Sequence, residues 1–248
     1  FVQARTDLNA LVSGDYDLAL AIDAETTLDD IKAELLRHCP GSICYRSSID
    51  GKFQFVVYQS SPSAEKLYTP AFSWDAHISS NHPFRTFETT ADNIVTRVYV
   101  NYRWHSAEGR CLKTAFIAPS TSDDGYGLED NTRETTAGNM ETRYALEHRW
   151  ESDFPWIQSA AVAVAKRDFI FDRLSVTKLQ VEFTTFLNAA ALQCGHVISF
   201  DADVDSYVPF PKYGDTTTWA SKKFQVTQIR RTFKRNAPEL YHINAVEV

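Results

Sequence analysis

The chain has 248 residues, a net charge of −7, and 44% hydrophobic and 13% aromatic residues. That length holds one large or two modest domains with a real core. No apolar run reaches membrane-span length, and the acidic balance argues against nonspecific DNA binding, which needs clustered cations.

Residues 1–14 read as a short helix or coil, and residues 15–24 as a strand with Tyr16, Leu18, Leu20 and Ile22 on one face. A helix follows. Thr27 is its N-cap, and Asp30 three residues on completes a capping-box pattern. Leu28, Ile31, Leu35 and Cys39 recur at helical spacing and predict one buried face. Arg37 and His38 suit the negative end of the helix dipole, and Pro40-Gly41 stops the helix. Asp50-Gly51 between two strand-like runs predicts a hairpin whose Phe53, Phe55 and Val57 face covers that helix. Residues 59–83, broken by Pro62, Pro70 and Pro83, form a connection with a short turn near Trp74.

Residues 84–90 and 94–104 alternate as strands, the second with Ile94, Thr96, Val98, Val100 and Tyr102 on its apolar face. Residues 105–109 are a hairpin loop and 110–118 its return strand. Residues 119–140 hold almost no large apolar side chain and are predicted as an exposed, mobile excursion, with a strand at 142–150 after it. A second helix is expected over 154–174, capped by Asp153, with Pro155 in its first turn. Its buried stripe would be Ile157, Ala160, Ala161, Val164, Ala165 and Ile170. A strand at 175–184, a loop over 203–221, and a closing hairpin of 224–233 with 240–248 complete the reading. The fold class is α+β, mostly β. A small helix-plus-hairpin domain (15–83) precedes a barrel- or sandwich-like domain (84–248) with one packed helix.

Ile22-Asp23, the helix, and the hairpin carrying Asp50-Gly51-Lys52-Phe53 resemble a segment of phage tail-hub and tail-tip (baseplate hub) proteins. These include the central tail-tip proteins of lambda-like siphophages and gene transfer agent hubs. The strand Asn93-Ile94-Val95-Thr96-Arg97-Val98-Tyr99 matches the family's "N-x-V-x-V-x-Y" imperfectly. Leu192-Gln193-Cys194-Gly195-His196-Val197-Ile198 stands where the family has "L-x-P-G-D-V-V", with Cys194 and His196 replacing Pro and Asp. Phe224-Gln225-Val226-Thr227-Gln228-Ile229-Arg230-Arg231 fits the family's closing strand. The resemblance implies a structural virion protein: a homotrimer whose paired barrel-like domains form a pseudo-sixfold ring. That ring joins the tail tube to the tip around the DNA path. The implied partners are distal tail or tube proteins and a tape-measure protein, with DNA passing through unbound. The implied location is the virion tail, after assembly in the host cytoplasm. Function would lie in interfaces, with no catalytic residue and no cofactor.

Other constellations are weaker. Asp201, Asp203 and Asp205 open like a calcium loop, but Ser206 and Lys212 replace its Gly and Glu, so no metal is expected. His77 and His82 lack a third ligand. Asp123, Asp124, Glu129 and Asp130 fall in the excursion, a poor place to hold two carboxyls at a fixed distance for hydrolysis. Cys39, Cys44, Cys111 and Cys194 read as reduced thiols, suiting a reducing cytoplasm. Lys222-Lys223, Arg230-Arg231 and Lys234-Arg235 read either as protection of a sheet edge or as a contact with an acidic neighbouring subunit. Two further readings are a carbohydrate- or receptor-binding sandwich with Trp74, Trp104 or Trp219 as stacking platforms, and a tail-associated hydrolase. The first residue, Phe1, fits a processed chain or a piece of a longer one.

Overall fold

The computed structural model describes residues 2–12, 15–20, 25–46, 51–57, 68, 71–79, 83–90, 93–119, 131–211, 218–233 and 239–248. The elements are α1 (Val2–Asn9), α2 (Leu28–His38), β1 (Ile43–Arg46), β2 (Phe53–Val56), α3 (Trp74–His77), β3 (Arg85–Glu88), β4 (Arg97–His105) and β5 (Arg110–Ile117). After them come α4 (Asn131–Tyr144), β6 (Arg149–Asp153), α5 (Ala160–Leu174), β7 (Leu179–Thr185), β8 (Val197–Ser199), α6 (Val204–Tyr207), β9 (Lys223–Thr232) and β10 (Leu240–Glu247). The fold is α+β and mostly β, with strands in sheets of two, five and three. No helix among the described residues is long and apolar enough to cross a membrane. Two compact units emerge, neither continuous in sequence: Phe1–Cys44, Phe55–Val57 and Thr90–Thr177 form the first, and Tyr45–Gln54, Tyr58–Thr89 and Lys178–Val248 the second.

In the first unit, β4 lies between antiparallel β5 and parallel β6. Alternation along β4 buries Val98, Val100 and Tyr102 as expected, and α5 packs on β4 and β5 to cover them. On the opposite face Tyr99 stacks on Phe116, and the Arg149 guanidinium lies 4.0 Å from the Tyr99 ring centre. Thr27 caps α2 with the expected reciprocal box: its hydroxyl accepts from the Asp30 N–H while the Asp30 carboxylate takes the Thr27 N–H. Helix α2 stops before Gly41, whose φ of 53° suits glycine.

Leu28 is 80% exposed and Phe53 64% exposed, so neither joins the buried face that its pattern implied. Of the strand at 15–24, the described residues 15–20 form only a bridge between Leu18 and Ile157. The Asp50 side of the hairpin turn lies outside the described residues; Gly51 has a φ of 71°. Residues 131–140, expected in an exposed excursion, belong to α4, which runs on to Tyr144 and buries Ala137 fully. Ion pairs replace the missing apolar surface: Arg133 meets Asp168 and Asp172 of α5 at 3.2 and 2.8 Å, and Glu141 holds Arg97 of β4 at 2.8 Å. The strand expected at 142–150 therefore begins only at Arg149.

Helix α5 begins at Ala160 behind Ser159, not at Phe154. The intervening backbone is committed to β4. The Phe154 N–H donates to the Asn101 carbonyl and the Arg103 N–H to the Ile157 carbonyl, while Asp153 still belongs to β6. The buried face is Val162, Ala163, Lys166, Arg167, Ile170 and Phe171, whereas Ala160 and Ala161 are exposed. An alanine-rich helix has no clear apolar stripe to read, which hid both the phase and the buried cations.

In the second unit the sheet order is β3-β7-β10-β9-β8, antiparallel throughout, with β9 and β10 forming the expected closing hairpin. Phe84, just before β3, sits 5.7 Å from the ring of Phe200, just after β8, and 5.2 Å from that of Trp219. The two ends of the sheet thus curl over one aromatic core, which also contains Phe72, Phe183 and Phe224. Burying each such ring stabilises by roughly 1.5–3 kcal/mol. The outer edge of β8 is occupied by backbone bonds from Tyr68 and Phe72. Residues 203–221, expected as loop, contain α6 and a one-turn helix at Trp219–Ser221, burying Val204 and Trp219 completely.

Candidate functional site

Perturbed polar groups concentrate in the first unit where α2 ends. The His38 ring is fully buried, stacked on Trp156 at 4.7 Å and edge-on to Phe154. Its Nε2 accepts the Trp156 N–H at 3.3 Å, so Nδ1 carries the proton and donates to the Glu34 carbonyl at 2.7 Å. Lys166 of α5 donates to the Cys39 carbonyl at 2.9 Å over the Phe154 ring. Arg37 reaches the Asp153 carbonyl at 2.7 Å, and the Tyr16 hydroxyl donates to the His38 carbonyl at 3.0 Å.

Burial is the leading cause of each shift. It pushes Lys166 down to about 8 and the Cys39 thiol up to about 11. It also lowers His38 and raises Tyr16. A buried, depressed amine is the environment in which a nucleophilic lysine is sought. Here the donors spend themselves on backbone carbonyls. The arrangement binds the C-terminal end of α2 to the turn after β6. It acts as a clasp, satisfying carbonyls that a helix terminus leaves open.

None of this was legible beforehand. Arg37 and His38 read as ordinary last-turn cations. The only available signal for Lys166 and Arg167 was two charges inside an apolar run. Arg167 is 1% exposed; it donates to the Phe116 carbonyl at 3.1 Å and pairs with Asp168 at 2.7 Å.

The sequence-derived candidates fall into structural roles. Asp203 Oδ2 accepts the Trp74 N–H at 2.9 Å, and Asp205 Oδ1 the Trp219 N–H at 3.2 Å, while Asp201 is exposed. No group of three His, Cys, Asp or Glu among the described residues could hold a metal. His77 Nδ1 accepts the Ser73 N–H, and His148 Nδ1 lies 2.9 Å from the Ile94 carbonyl. All four cysteines are unbridged. Trp219 is not a surface platform: it is fully buried, with its indole N–H on the Val208 carbonyl at 2.7 Å. Trp74 is half-buried and stacks on the exposed Tyr207 at 5.2 Å, and Trp104 is exposed on β4. Lys222 pairs with Glu247 at 2.5 Å. Arg231 stacks over Tyr241 and donates to the Ala190 carbonyl, whereas Arg230 is exposed. His82, Asp123, Asp124, Glu129, Asp130, Lys212, Lys234 and Arg235 lie outside the described residues.

No family model matches the chain, and no curated protein is similar to it. Two solved structures share its shape in part. A chain of the virion of a native gene transfer agent particle is 13% identical over 90% of this chain and 40% of its own, with a TM-score of 0.48. The tail protein from Neisseria meningitidis MC58 is 14% identical over 99% of this chain and 66% of its own, with a TM-score of 0.47. The chain therefore spans less than two thirds of either protein. Likeness at that level carries no inference about function.

Proposed function

We propose that this chain is a structural component of a phage-type tail, acting at the hub or tip where tube meets baseplate. It assembles there as a homotrimer whose paired units form a pseudo-sixfold ring around the DNA path. The observation that carries the reading is the order of elements on which the family resemblance rests. A capped helix, a hairpin, a long strand, a second helix and a closing hairpin all occur in that order. The chain also supplies two β-containing units, as paired ring domains require. Its partners are distal tail or tube proteins and a tape-measure protein, and its place is the virion, after assembly in the host cytoplasm. It catalyses no reaction; function resides in interfaces. A net charge of −7 suits a channel through which DNA slides without sticking.

Sedimentation equilibrium together with negative-stain imaging tests this directly. A threefold ring with a central hole is the expected result, and a monomer at about 100 μM, where contacts of even modest affinity populate, overturns it. Arg230→Glu is the cleaner probe of the basic-pair contact, because Arg231 is already engaged within its own chain. Loss of assembly with an unchanged circular dichroism spectrum is expected. Normal assembly of Arg230→Glu removes that contact from the proposal.

One observation favours a second reading. Tyr207 is 52% exposed and lies flat on Trp74, the chemistry of a sugar-stacking platform. Quenching of tryptophan fluorescence by oligosaccharides, lost in Tyr207→Ala, would support a glycan-binding module.

A further inference from the structure

The β4–β5 hairpin changes character along its length. Val98, Val100, Tyr102, Ala115 and Ile117 enter the core, but residues 103–105 and 110–113 are exposed or only half-buried. Trp104 and Leu112 remain 40% and 43% exposed at this outer end. Its charges are three cations, Arg103, Arg110 and Lys113, against one carboxylate, Glu108, which Arg110 already binds at 2.7 Å. Arg103 and Lys113 pair with no carboxylate among the described residues. Arg103 also has a φ of 63°, a conformation that costs a non-glycine residue about 1 kcal/mol or more. Its N–H is held by the Ile157 carbonyl at 2.8 Å. The strain sits where the arm leaves the core and is maintained by the core.

The same unit carries a surface of opposite sign. At the start of α2, residues 25–30 are all exposed, with Glu25, Asp29 and Asp30; Lys32 pairs with Asp29 at 2.6 Å and leaves the patch acidic. In their midst Leu28 is 80% exposed, although Ile31, Leu35 and Leu36 on that helix are partly buried. Each surface therefore presents a large unburied apolar side chain ringed by charge, basic on one and acidic on the other.

We propose that the outer end of the β4–β5 hairpin docks on the N-terminal turn of α2 in a second copy of this chain. Trp104 covers the partner's Leu28, and Lys113, which pairs across the hairpin with Tyr102 and so shares the Trp104 face, meets its acidic residues. Two different patches make a head-to-tail contact, the kind that closes into a ring when the rotation permits. This rests on the self-assembly proposed above and assigns it a surface.

The test is sedimentation of the full chain over a concentration range, for wild type, Lys113→Glu, Asp29→Lys and the double variant. Both positions are exposed, so folding is preserved and is checked by circular dichroism. Each single reversal weakens self-association about tenfold or more, the double variant recovers most of it, and added salt weakens the wild type. Leu28→Ser weakens association as well. If the wild type assembles and the single variants match it, the surface is wrong and self-assembly stands. If the singles weaken association but the double variant does not recover it, the two patches do not meet and the proposal fails. A wild type that stays monomeric at about 100 μM overturns both this proposal and the reading beneath it.

Discussion

The fold opposes protonation of His38. Its Nε2 lone pair is taken by the Trp156 N–H, so a second ring proton would set donor against donor in a dry, stacked site. Arg37 and Lys166 add unfavourable positive charge, while the Glu34 carboxylate and carbonyl partly oppose them. The folded ring thus binds a proton less readily than the unfolded one, whose ordinary value is 6.5. As pH falls through that value the unfolded chain takes up the proton first, so stability drops in acid and rises toward neutrality. His196, also lowered by burial, acts in the same direction. Thermal unfolding at about pH 7.5 and about pH 5.5 is expected to show a lower midpoint in acid. In His38→Asn the gap should shrink, though it will not vanish because His196 remains. An unchanged gap would remove His38 from the account.

Among elements, α2 separates local from tertiary stabilisation. Its capping box is complete within four residues of sequence, so Thr27→Ala should cost about 1 kcal/mol in urea unfolding. Leu28 sits one residue later at a position that periodicity marks as core, yet it faces solvent. At a protein concentration where the chain is monomeric, Leu28→Ser should therefore stay within about 0.5 kcal/mol of wild type in the same measurement. A loss of about 2 kcal/mol or more would mean that Leu28 is buried in the monomer, and would also undercut its role as a docking residue. The contrast with α5 is instructive. There the sequence offers apolar residues on every side, and the phase is chosen by Lys166 and Arg167 finding the Cys39 and Phe116 carbonyls.

For the molecule as a whole, each unit has its own core, and the second is built on aromatic rings. Trp219 touches Phe84, Phe200, Phe210 and Phe224, and its backbone and indole N–H groups satisfy Asp205 and Val208. Trp219→Ala should cost about 3–5 kcal/mol, read as a shifted denaturation midpoint. If the units unfold separately, only the transition belonging to the second unit will move, and far-UV dichroism will then show two steps. A loss below about 1 kcal/mol would mean that the ring is not central to that core.

Local chemistry was sufficient for the capping box, the β4 alternation, the β4–β5 turn and the closing β9–β10 hairpin. Each depends on residues within a few positions of one another or on a strict period of two. The fold class followed from these. The phase and start of α5, the existence of α4, the burial of Trp219 and the clasp around His38 were set elsewhere. They depend on ion pairs and on carbonyls contributed by residues far away in sequence. A charge inside an apolar run looks like a defect until the fold brings it the acceptor that makes its burial tolerable.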